Sequence, residues 1–108
     1  AVDEVKEIGK TLLSRTGQSL FITVGDNGIV VFDSGKISHV PGISVEGQVD
    51  PVGAGDSVSA GLVASLCCGG SYTEAAFIGN LVASVTVTKI GTTGTASPDE
   101  VINRFLSL

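Results

Sequence analysis

The order of local signals along the chain predicts a mixed α/β fold: a small sheet with a β-hairpin, covered by helices. Three observations carry this. An amphipathic helical pattern opens the chain, two short β-branched runs follow on either side of Asp26-Asn27-Gly28, and from residue 57 onward the apolar spacing is helical with two Ser-x-x-Glu starts.

Each element has its own warrant. Over residues 2 to 15, Val5, Ile8, Leu12 and Leu13 share one face, Asp3, Glu4 and Glu7 suit a helix N-terminus, and Gly17 supplies a stop. Leu20 to Val24 is an apolar run that predicts a buried strand, and Ile29 to Phe32 predicts its hairpin partner after the Asp-Asn-Gly turn. Asp33-Ser34-Gly35 turns again into a weaker strand over Lys36 to Val40, which Pro41 and Gly42 end. Residues 41 to 55 read as loop with one extended stretch near Val45 to Val49. A helix is expected from Ser57 to about Cys68, where Ala60, Gly61 and Ala64 allow close packing. Ser71-Tyr72-Thr73-Glu74 is a capping-box start for a helix running to about Lys89. Ser97-Pro98-Asp99-Glu100 starts the last helix, with Val101, Ile102, Phe105 and Leu106 expected on its buried side.

The 108 residues suit one domain, and 43% hydrophobic against 16% charged residues describes a chain able to build a core. With 11 acidic and 6 basic residues the net charge is -5, and no basic patch offers the many phosphate contacts that nucleic-acid binding needs. No apolar run reaches the ~20 residues that span a bilayer, and no charged-then-apolar leader opens the chain. A soluble, cytoplasmic protein without a membrane partner is expected. Its adjacent Cys67 and Cys68 are read as reduced, in a buried structural role, since neighbouring cysteines rarely meet disulfide geometry. The two helices after residue 56 are apolar around most of their circumference, which hints at burial by more than one small sheet.

The chemically informative segment is Asp50-Pro51-Val52-Gly53-Ala54-Gly55-Asp56-Ser57. Between Asp50 and Lys89 the only charged residues are Asp56 and Glu74, and Glu74 is accounted for by the capping box. A Gly-Ala-Gly run lets successive backbone N–H groups face one hollow, and the following helix adds its own unpaired amides and dipole, which together suit a phosphate. A carboxylate at the edge of such a hollow repels a resting phosphate, but it makes sense as the base for an attacking hydroxyl. The plainer reading makes Asp56 an N-cap after a glycine turn; spacing alone leaves both readings open.

Asp50 to Asp56 resembles the D-T-x-G-A-G-D signature of the ribokinase-like (PfkB) carbohydrate kinases. Thr23-Val-Gly25-Asp-Asn-Gly28 resembles that family's T-L-G-x-x-G strand-turn, Asn80 with Ala83 its N-x-x-A helix, and Lys89-Ile-Gly91-Thr92 its closing K/R-x-G segment. The motifs follow the family's order across nearly the whole chain. The resemblance implies ATP-dependent phosphorylation of a sugar or sugar-like hydroxyl, with Asp56 as catalytic base and the amides of Gly53, Ala54 and Gly55 as anion hole. It further implies a nucleotide pocket lined by Thr23, Gly25, Gly28 and Asn80, Mg²⁺ accompanying ATP, and a monovalent cation such as K⁺ near Asp50, Val52 and Gly91. Pro51 departs from the family's usual Thr. The family's chains are also much longer, so residues 1–108 are expected to form a single partial domain, the C-terminal ATP-binding and catalytic portion. The acceptor site would then lie in a missing N-terminal part, and the implied partners are that part, a homo-oligomer and a small-molecule sugar.

Other readings fare less well on residues. A Walker A lysine is absent, and Gly53-x-Gly55 lacks the third glycine and the later acidic residue of a dinucleotide fingerprint. His39, the one histidine, has no G-x-S-x-G elbow to serve, and no further ligands cluster near the cysteines for a metal. The Thr92-Thr93-Gly94-Thr95 loop reads either as a nucleotide contact or as a plain turn. A non-catalytic nucleotide-binding or interaction module on the same fold is the rival from another functional class.

Overall fold

The strand at Ile29–Asp33 (β2) lies at the centre of the molecule, with Ile29, Val30 and Phe32 wholly buried and Val31 nearly so. A strand buried on both faces needs a layer on each side, and the chain supplies both. The structure, a computed structural model, describes residues 2–89 and 95–108. Among these, β2 is flanked by β1 (Leu20–Thr23) and β3 (Lys36–Val40) in an antiparallel sheet of order β1-β2-β3. Val30 stands opposite both Ile22 and His39, and Ile29 opposite both Thr23 and Val40. Side chains alternate across the sheet. Ile29, Val31 and Val40 therefore face Ala76 of one helical layer, with Phe21, Val58, Tyr72 and Phe77 packed around them. Val30 and Phe32 face the other way, toward α1 (Val2–Thr16).

The α1 contact is made through a glycine. Gly9 is buried, and a Cβ there would lie 1.9 Å from Cζ of Phe32. The ring occupies the place a side chain would take, so α1 meets β2 at Gly9. Ile8 is 58% and Leu12 41% exposed, and the apolar face expected from the sequence is only partly covered.

On the opposite side, α2 (Ala54–Cys67) and α3 (Tyr72–Thr86) cross at a pair of glycines. A Cβ on Gly61 would come within 2.9 Å of Val82, and one on Gly79 within 2.9 Å of the Val58 carbonyl. Of the small residues expected to permit close packing, Gly61 is the one used; Ala60 and Ala64 are exposed.

Helix boundaries differ from the sequence expectation in instructive ways. α2 begins at Ala54 rather than Ser57, because Gly53 adopts φ 82 and serves as N-cap while the Ser57 amide closes on the Gly53 carbonyl at 3.1 Å. The N-cap reading of Asp56 is thereby corrected: it sits inside the first helical turn. α3 stops at Thr86 rather than Lys89; the β-branched run Val85-Thr86-Val87-Thr88 tightens, with Thr88 and Lys89 amides bonding back to Val85 and Thr86. No strand forms over residues 45–49. Cys67 and Cys68 are free and exposed rather than buried, because the turn at Gly69-Gly70 ends the helix on the surface.

Both predicted capping boxes are present. Ser71 holds the carboxyl of Glu74 below its usual range, through its backbone N–H first and its hydroxyl second. α4 (Pro98–Leu106) is the second such helix, yet its expected buried side is open: Ile102 is 54%, Phe105 53% and Leu106 72% exposed, with Val101 half-buried. It rests on α3 along one edge, where the rings of Phe77 and Phe105 meet at 6.1 Å and 82°. No helix among the described residues is long and apolar enough to cross a membrane.

Candidate active site

Two glycines shape the turn between β1 and β2. Gly25 (φ 52) and Gly28 (φ 91) adopt left-handed backbone that other residues enter at a cost, and they bracket a single 3₁₀ turn over Gly25–Asn27. Three backbone bonds close it: Val24 N–H to Gly28 O, Asn27 N–H to Val24 O and Gly28 N–H to Gly25 O. Gly28 has a second constraint. A Cβ there would lie 2.1 Å from the Val40 carbonyl, so the turn is pressed against the exit of β3. From the other side, a Cβ on Gly42 would lie 2.5 Å from the carbonyl of Asp26.

The β3 exit is in turn held by α3. Asn80, only 7% exposed, donates its side-chain amide to the carbonyls of Val40 at 3.2 Å and Pro41 at 3.0 Å. The Val40 carbonyl is buried at the last pair of the β2–β3 ladder and the Pro41 carbonyl just beyond it is partly buried; Asn80 donates to both.

Around this frame lies an open cleft of ≈ 490 Å³. It brings together Thr23, Gly25 and Gly28 from the strand-turn, Ala54 and Gly55 from the start of α2, and Asn80 with Ala83 from α3. Gly53 and Asp56 flank the Ala54-Gly55 pair in the chain but are not part of the wall, and neither are Asp50 or Val52. The wall also includes Gly42, Ile43, Ser44, Val45 and Val49, which by sequence are only connecting loop. The signal for them is the apolar alternation of Ile43 and Val45 in a segment with no strand to join.

The Gly-Ala-Gly turn opens α2 in a defined way. The Ala54 amide is taken by the Pro51 carbonyl at 3.0 Å, and Ser57 makes the first intrahelical bond. The amides of Gly55 and Asp56 therefore stand in the first turn, where an α-helix offers no internal acceptor. Asp56 is exposed, beside those amides. Pro51, the departure from the family signature, contributes a carbonyl that fixes the turn. Asp50 accepts the Val52 amide at 3.0 Å, and its own N–H bonds to the Val87 carbonyl at 2.7 Å, tying the loop to the end of α3. Gly91, the third residue of the implied cation site, lies outside the described residues, as do Thr92, Thr93 and Gly94. The Nε2 of His39 meets the backbone carbonyl of Asn27 rather than a Ser or Asp side chain, so a triad through it has no geometric support.

The model of the pfkB family carbohydrate kinases matches residues 1–100. The Bifunctional protein HldE of Pelobacter propionicus is 34% identical over 104 residues, covering 94% of this chain and 21% of that protein. Among solved structures, the nucleoside kinase of Methanocaldococcus jannaschii, an archaeal member of the ribokinase family, superposes with TM-score 0.74 at 31% identity, covering 83% of this chain and 30% of that one. An E. coli protein described as a putative ribokinase II, solved with ATP and Mg²⁺, superposes with TM-score 0.84 at 23% identity, covering 95% of this chain and 33% of that one. The chain thus has the ribokinase fold over its own length and spans about a fifth of the curated relative and a third of these structures. It belongs to the pfkB family of carbohydrate kinases.

Proposed function

We propose that this chain is the C-terminal, nucleotide-binding and catalytic portion of a kinase that transfers the γ-phosphoryl group of ATP to a hydroxyl of a sugar or sugar-like acceptor. The observation that carries the reading is the meeting of the Thr23–Gly28 strand-turn, the Asn80–Ala83 face of α3 and the amide-rich start of α2 around one cleft. The base and sugar of a nucleotide fit the partly apolar wall formed by Ile43, Val45, Ala83 and the glycine turn. The triphosphate tail is directed to the N-terminus of α2, where the open amides of Gly55 and Asp56 and the positive end of the helix dipole favour negative charge. Of the anion-hole amides expected from the sequence, that of Ala54 is engaged with Pro51, so Gly55 and Asp56 bear the main role, with Gly53 setting the turn.

Asp56 is assigned as the general base. Its position in the first turn of α2 puts a carboxylate next to the phosphate-facing amides, where it can take the proton of an incoming hydroxyl as the phosphoryl group transfers. Mg²⁺ bound to the nucleotide would neutralise charge developing on the phosphates. Among the described residues no group of three or more His, Cys, Asp or Glu side chains could hold a metal ion. Mg²⁺ held mainly by phosphate oxygens needs few protein ligands. Of the residues expected near K⁺, Asp50 and Val52 are described and are joined by the bond from the Val52 amide to the Asp50 carboxylate, and the cation is assigned beside them. The acceptor site is assigned to a part of the fold this chain does not include.

The test pairs ATP binding with transfer, using this chain and its Asp56→Asn variant joined to the remainder of a ribokinase fold. The Asp56→Asn variant should keep ATP affinity while its transfer rate falls by about 10²–10⁴-fold, the usual worth of a general base. Equal transfer by both forms removes Asp56 from the mechanism. Absence of ATP binding to a well-folded protein removes the kinase reading.

A further inference from the structure

We propose that His39 is a positioning residue for the nucleotide-facing turn, fixing Gly25–Asn27 from the neighbouring strand; this rests on the assignment of the cleft to a nucleotide. The starting observation is a contact between side chain and backbone across 12 residues: Nε2 of His39 lies 2.5 Å from the carbonyl oxygen of Asn27. A carbonyl can only accept, so Nε2 carries the proton and donates.

The position of His39 follows from register. Opposite Val30 on β2, it falls on the sheet face directed toward α1, yet it stays exposed near the β1–β2 turn. Its acceptor is the last carbonyl of the 3₁₀ turn, whose other backbone bonds all lie within Val24–Gly28. Such a single turn has little rigidity of its own. Two external restraints hold it. On one side it packs against the backbone of Val40 to Gly42, itself pinned by Asn80. On the other, His39 holds the carbonyl of Asn27. Gly25, Asp26 and Gly28 from this turn, with Gly42 and Asn80 behind it, all belong to the wall of the cleft. The two restraints therefore set where the wall stands before a ligand arrives. An ordered wall lets a nucleotide bind without the entropic cost of ordering it.

The contact calls for a donor at the end of a side chain of fixed reach. Glutamine can provide that from the same position, and alanine cannot. Because His39 is exposed, neither replacement opens a cavity in the core.

The experiment compares the native chain, His39→Ala and His39→Gln by amide hydrogen exchange without ligand and by ATP titration. Exchange over residues 25–28 should accelerate in His39→Ala and return toward native in His39→Gln. ATP affinity should fall by about three- to tenfold in the alanine form, the equilibrium worth of one hydrogen bond, and recover with glutamine. Unchanged exchange in His39→Ala overturns the proposal, and so does faster exchange with unaltered ATP affinity, which would make the contact merely structural. If the native chain binds no ATP while exchange responds as stated, the nucleotide assignment of the cleft fails and the His39 restraint on the turn stands.

Discussion

The side-chain amide of Asn80 on α3 donates to the main-chain carbonyl of Pro41, 39 residues earlier in the chain, at 3.0 Å. With its second bond to Val40, this joins the helical layer to the exit of β3 and fixes the floor of the cleft. Asn80→Ala should cost about 1–3 kcal/mol, since it removes the donor shared by one buried and one partly buried carbonyl. Asn80→Asp should cost more, because an ionised carboxylate has no donor and faces two carbonyl oxygens. Urea unfolding of the three proteins measures the order.

Gly25 and Gly28 look alike in sequence and differ in the structure. Both have positive φ, but space around Gly25 is open, whereas a Cβ on Gly28 would strike the Val40 carbonyl at 2.1 Å. Gly25→Ala should therefore cost about 1–2 kcal/mol, the left-handed penalty alone. Gly28→Ala combines that strain with overpacking and should cost about 2–4 kcal/mol. Comparable denaturation midpoints for the two variants would show that the turn does not pack against β3 as described.

Glu100 joins the start of α4 to the residues after α3. Its carboxylate accepts the Ser97 backbone N–H at 3.0 Å and the Lys89 ammonium at 2.9 Å, and Lys89 also donates to the Thr95 carbonyl. The Ser97 backbone bond, then the Lys89 bond, lower its pKa from the ordinary 4.5 to about 2. A depressed folded-state pKa means that this stabilisation is fully present above about pH 4.5 and is lost as pH falls toward about 2. Carboxyl ¹³C titration should show that midpoint. Lys89→Met should raise it only part of the way, because the larger cause, the backbone bond, remains.

Local structure is legible where one short-range rule decides it. The Ser71 and Ser97 capping boxes, the Asp26-Asn27-Gly28 reversal and the three strands are written in a few adjacent residues each, and the structure has them. β1, however, ends at Thr23 and is half-buried at a sheet edge rather than buried as its apolar run to Val24 suggests. The start of α2 falls earlier than its apolar spacing indicates, because the left-handed N-cap at Gly53 depends on Pro51 and Ser57 together rather than on one residue type. The exposed side of α4 is not legible, since apolar spacing tells which face could be buried and not what is there to cover it. In the cleft, Thr23, Gly25, Gly28, Ala54, Gly55 and Asn80 can be named from motifs. The backbone role of Asn80 and the restraint by His39 cannot, because each joins segments that no local pattern connects.

In the proposed function, the α2 start and the Thr23–Gly28 turn form two sides of one nucleotide site. Amide NMR shifts during an ATP titration of the ¹⁵N-labelled chain test it most directly. Saturable shifts are expected at Gly25, Gly28, Gly55 and Asp56 with a common dissociation constant, leaving residues of α4 unmoved. Shifts absent from both segments, or confined to α4 and the end of α2, would contradict it.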